Sequence, residues 1–141
     1  MKKYYTIIIF VSILLVLGFI LMPDSKDKGK SETEMVSAQT TAERINYFAL
    51  HGWETEELFS KNITIPLEFT ESYEEFVKMQ DKQNMPLREY KGSEAVLYTY
   101  KVTNYSPDGK NLLAELIVCD GKAVSSIIYA EDDVSYMLSV H

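Results

Sequence analysis

Ala95–Thr103 reads AVLYTYKVT, and this run decides the fold. Valine, tyrosine and threonine dominate it, the residue types that fit a pleated, half-buried surface. Working outward, Lys91-Gly92 makes a turn on its N-terminal side, and Ser106-Pro107-Asp108-Gly109 is loop chemistry on the other. Leu112–Cys119 is the next predicted strand. Asp120-Gly121 is a two-residue hairpin turn of the kind that needs positive φ. Ala123–Tyr129 returns beside it, Glu131-Asp132-Asp133 turns again, and Val134–Val140 is a last short strand. Connections this short force antiparallel pairing.

Upstream of the meander the pattern becomes helical. Thr40-Thr41-Ala42-Glu43 fits a capping box, in which a threonine oxygen and a glutamate cover orphan amides. Ile45, Phe48 and Ala49 follow at helical spacing, and Gly52 suits a left-handed position after the last turn. These signals place a first helix over about Thr41–His51. Lys61–Leu67 (KNITIPL) alternates as a strand, with Ile63 and Ile65 inward and Pro66 closing it. Thr70 caps a second helix, about Glu71–Gln83, whose inner stripe is Tyr73, Phe76, Val77 and Gln80. Asn84 to Pro86 stops it, ahead of a short Leu87–Tyr90 stretch. The expected fold class is α+β: two helices packed on one face of a mostly antiparallel sheet of about four or five strands.

The remaining chain reads as an anchor and a tether. Residues 4–22, YYTIIIFVSILLVLGFILM, contain no charge, and such a length crosses a hydrocarbon core of roughly 30 Å. Lys2 and Lys3 precede the run, and Tyr4 and Tyr5 stand where interfacial aromatics belong. A cleaved signal peptide would need small residues at the end of the run, where Phe19-Ile20-Leu21-Met22 are all large. Val36 and Ala38 have the shape of a cleavage site but stand too far downstream, and no cysteine near residue 22 offers a lipid attachment point. The predicted organisation is therefore a transmembrane anchor over 1–23, a polar stalk over 24–39 and an extracytoplasmic domain over 40–141. Lys2 and Lys3 favour a cytoplasmic N-terminus; Lys26, Lys28 and Lys30 favour the inverse. The basic head before an apolar run is the layout of an export signal, so the expected place is the cell membrane, single-pass, with the domain outside.

Composition narrows the function. The 141 residues carry a formal net charge of -7, and such a surface repels phosphate backbones and anionic headgroups, so no nucleic-acid partner is expected. The single cysteine, Cys119, cannot form an internal disulfide and reads as a small buried side chain in a strand. Histidine occurs twice, as His51 and His141. One cysteine and two distant histidines make no zinc site, and Glu131-Asp132-Asp133 lacks the alternating oxygen spacing of a calcium loop. Glu54, Glu56 and Glu57 are candidates for a general acid and base, weighed against an exposed edge. No phosphate-binding glycine loop and no cofactor motif stands out. Asn62-Ile63-Thr64 and Asn104-Tyr105-Ser106 match glycosylation sequons, which matter only in a eukaryotic secretory pathway.

Several segments carry a family likeness. His51-Gly52-Trp53, Ile65-Pro66, Tyr73 with Gln80, LREYKG over 87–92 and YTYKVTNY over 98–105 resemble bacterial domain-of-unknown-function family 4830, across about residues 41–140. Val77, Asn84 and Ser125-Ser126 stand where that family's pattern has an asparagine and glycines. The resemblance implies a Gram-positive envelope setting behind a single anchor helix, and it implies no catalytic residue.

Ten tyrosines are the surplus in this composition. Tyr98 and Tyr100 share a strand face, with Tyr105 close behind, and tyrosine supplies contact area with a polar tip at recognition surfaces. The alternative is that these rings pack under the helices. The expected role is a non-catalytic interaction or sensing module, held in the membrane through residues 4–22 and meeting a protein or cell-wall partner. Two other roles stay open: an accessory subunit of a membrane complex, and a carboxylate-dependent envelope hydrolase with two facing carboxyl groups.

Overall fold

A computed structural model describes residues 35–141. The predicted anchor and most of the predicted stalk lie outside them, and no helix among the described residues is long and apolar enough to cross a membrane. The architecture is α+β: helix α1 (Thr41–Leu50), strand β1 (Thr55–Thr64), helix α2 (Glu71–Lys82), then β2 (Glu94–Val102), β3 (Leu112–Cys119), β4 (Lys122–Ala130) and β5 (Asp133–Leu138). The five strands form one antiparallel sheet in chain order.

Local chemistry sets the boundaries. The Thr40 hydroxyl accepts from the Glu43 amide while the Glu43 carboxylate accepts from the Thr40 amide, so the predicted capping box forms. Thr70 caps α2 through the Tyr73 amide. Asp120 and Gly121 have φ of 49° and 72°, the paired positive values that let a two-residue turn follow the twist of its strands.

One expectation is corrected. The helices pack on opposite faces of the sheet, not on one. Tyr47 and Phe48 of α1 join a core with Tyr100, Val102, Leu112, Ala114, Leu116 and Ile128. Tyr73 and Val77 of α2 join a separate core with Ala95, Leu97, Ile117, Cys119 and Val124. Successive strand residues point to opposite faces, so the two sets cannot share one. The reason is legible in β3 and β4. Leu112–Cys119, LLAELIVC, hardly alternates, and such a run asks for cover on both sides.

Three smaller differences follow from tertiary contacts. β1 begins at Thr55 rather than Lys61, because pairing with β2 runs from Thr55↔Val102 to Thr64↔Glu94 and carries a poorly β-forming acidic segment with it. The buried stripe of α1 is Arg44, Tyr47 and Phe48; Ala49 faces outward. Order also starts inside the segment predicted as stalk: Ser37 bridges Lys122, the Ala38 amide donates to the Gly121 carbonyl, the Ala123 amide donates to the Val36 carbonyl, and Ala38 is fully buried.

These contacts also close the outer edge of β4, which would otherwise be a template for another chain. Val36–Ala38 covers its start and β5 its end. Between them Gln80 acts as a surrogate strand. Its Nε2 donates to the Ser126 carbonyl and its Oε1 accepts from the Ser126 amide, both at 2.9 Å. Gln83 adds a second donor to the same carbonyl at 3.0 Å.

Candidate functional site

Arg44 organises the entry to the domain. A guanidinium has five N–H donors, and here all find acceptors. Nε donates to the Tyr100 hydroxyl, Nη1 to the carbonyls of Ala38 and Gln39, and Nη2 to Thr41 Oγ1 and Glu57 Oε1. The guanidinium carbon also stands 3.8 Å from the Tyr98 ring centre. Arg44 thus fixes residues 38–39 against the sheet and stiffens Tyr98 from one side.

Beside it runs an open groove of about 1110 Å³. Its floor is a row on the α1 face, Asn62 opposite Val96 and Val96 opposite Val118, with Tyr98 in the next row. Ala38 and Gln39 form one wall together with Asp120 and Gly121, and Lys61 and Glu94 contribute opposite charges to its lining. The floor sets the Asn62 amide beside Val96, Val118 and the Tyr98 ring, and the rim is polar, so contact area and polar groups both contribute to the lining.

The predicted tyrosines separate. Tyr98 is half-buried and lines the groove. Tyr100 shares its face but is fully buried beneath α1, against Phe48 at 5.1 Å between ring centres and donating to Glu57. Burial, and after it the Glu57 charge, pushes the Tyr100 hydroxyl well up, against the pull of Arg44. Tyr105 is exposed and meets Trp53 edge-on at 6.0 Å.

Cys119 lies buried on the α2 face, its thiol donating to the Glu94 carbonyl. Burial and then the Asp120 charge raise its pKa, which disfavours the thiolate a nucleophile requires. The acidic trio does not converge: Glu56 pairs across from Lys101 and Glu57 from Tyr100, on opposite faces of the sheet. Glu57 is engaged by Arg44. Asp133 is held by Ser135 and Lys110, and no group of three potential metal ligands occurs among the described residues.

One carboxylate is buried in the sheet. Glu115 accepts from the Tyr129 hydroxyl at 2.9 Å, on the face opposite α1. Burial pushes its pKa up, while the Tyr129 bond and the Lys61 charge pull it back. The side-chain partner of Glu115 is a phenol and not a second acid.

Neither a family model, nor a curated protein, nor a solved structure matches the chain. The groove brings in Gln39, Val96 and Val118, which the sequence did not single out, and Arg44 stands beside it against Tyr98. The available signal was Arg44 itself, a charged residue one turn before the inward Phe48, which called for a buried partner.

Proposed function

We propose that this chain is a membrane-anchored extracytoplasmic binding module whose ligand site is the groove over Asn62, Val96, Tyr98 and Val118. The observation that carries the reading is the groove itself: a floor of one aromatic ring, two valines and the Asn62 amide within a polar rim, its wall built from the segment that leads back toward the predicted anchor. The charge-free run over residues 4–22 supports a bilayer anchor. The family likeness supports a Gram-positive envelope setting, with a protein or cell-wall component as partner. A non-catalytic role is favoured because Cys119 is a buried thiol and Glu115 faces Tyr129 rather than a second acid.

The test places a photo-crosslinking residue at Asn62 in intact cells, with Glu75 on the exposed side of α2 as the control. A discrete adduct at Asn62 that is absent at Glu75 and abolished by Val96→Arg is expected. Identical labelling at both positions, or labelling indifferent to Val96→Arg, rejects the groove as the site. Protease added to the same cells should remove the domain; full protection would place it on the other side of the membrane.

A further inference from the structure

The two histidines of the chain are brought together, and neither lines the groove. His51 caps the end of α1, and His141 lies against it with ring centres 3.8 Å apart and planes inclined by only 16°. Three more contacts hold the Val140–His141 segment. The Tyr47 hydroxyl sits 3.0 Å from His141 Nε2 and 2.7 Å from the buried Ser126 hydroxyl. The Trp53 indole N–H donates to the Val140 carbonyl at 3.0 Å. The Val140 amide donates to Gln83 Oε1 at 2.6 Å. One dipeptide thus ties α1, the chain after it, the end of α2 and β4, and Val140 is buried in the α1-side core.

We infer that Val140–His141 is a pH-responsive clasp, closed while the stacked imidazoles share at most one proton and opened when both are protonated. The reason is electrostatic. Neutral imidazoles stack without cost, whereas two imidazolium rings 3.8 Å apart repel even where both are exposed to water. The bond to Tyr47 is not the sensor. A hydroxyl placed between Ser126 and His141 can donate either way, so it survives protonation of the ring. The titratable groups facing His141 are Tyr47 of α1 and His51 at its C-cap; Gln83 at the C-cap of α2 and Ser126 of β4 are neutral. Burial, and then His51, lowers the His141 pKa, in keeping with a closed state that resists charging. Opening releases Gln83 and Trp53 and exposes Val140, loosening the seam between both helices and the sheet.

Trp53 is the only tryptophan in the chain and is bonded to the clasp, so its emission reports the state directly. The full chain is titrated from about pH 8 to about pH 5, a span that brackets ordinary histidine titration. A red shift of Trp53 emission within that span, with unchanged far-ultraviolet dichroism, is expected. His141→Gln and, independently, His51→Gln should each abolish the shift. Since His51 is exposed, its variant keeps the test decisive even if His141→Gln disturbs folding. A flat emission profile in the wild type, or a shift that persists in His51→Gln, overturns the inference.

Discussion

Arg44 is the residue on which the entry to the domain turns. Replacing it by methionine keeps most of the buried volume but removes the cation beside Glu57 and the donors to Tyr100 and to two backbone carbonyls, leaving only the Tyr100–Glu57 bond of that set. Removing one partner of a largely buried ion pair costs about 3–5 kcal/mol, and urea unfolding of Arg44→Met should show a loss of that order. Glu115 behaves in the opposite sense. Its folded pKa lies above that of an ordinary glutamate because burial favours the neutral acid. The native state therefore binds more protons than the unfolded chain between those two values. Stability is highest below the unfolded value and declines as pH rises through the folded one, with a slope of at most about 1.4 kcal/mol per pH unit for one proton. Glu115→Gln keeps an oxygen for the Tyr129 hydroxyl and removes the charge. Unfolding curves between pH 4 and pH 8 should show the variant more stable at the alkaline end and the difference closing toward the acid end.

At the scale of elements, the edge of β4 is protected by side-chain amides where no strand lies. Gln80→Leu fills the same space but leaves the Ser126 amide without an acceptor in a fully buried position. The expected cost is about 1–3 kcal/mol, measured by chemical denaturation. The hairpin Asp120–Gly121 makes a second test. A methyl group on Gly121 would strain a φ of 72° and stand 2.5 Å from Gln39 Cγ. Gly121→Ala should cost about 1–2 kcal/mol from the backbone alone. It should also speed hydrogen exchange at the Ala38 and Ala123 amides, because they hold residues 36–38 against this hairpin. Both elements are half legible in sequence. Asp-Gly between two apolar runs names its turn, and Gln80 appears on the inner stripe of α2. That Gln80 would meet a strand edge depends on where the helix ends in space.

At the scale of the molecule, the meander was open to reading because each of its strands turns back on its neighbour through a short connection, and local turn chemistry then sets the order. The distribution of helices over the two faces was not. Each helix shows an apolar stripe, but a stripe does not say which side of the sheet it covers. The unbroken apolar run of β3 was the clue that both sides were taken. The groove follows from that arrangement: it lies on the α1 face, and its floor joins Asn62, Val96 and Val118, three residues with nothing in common in the sequence except their register.

Capping boxes, positive-φ turns and strand periodicity are properties of a few adjacent residues, so the chain alone determined the elements, their order and the antiparallel pairing of β2 to β5. Distance in space between residues remote along the chain has no such local signature. Only the tertiary structure decided that Tyr100 is buried while Tyr98 lines a groove, that Arg44 binds the incoming segment, and that His51 and His141 stack. For Tyr100, Tyr98 and Arg44 the deciding quantity is which side chain excludes water from which, and that is settled when the two faces of the sheet are covered.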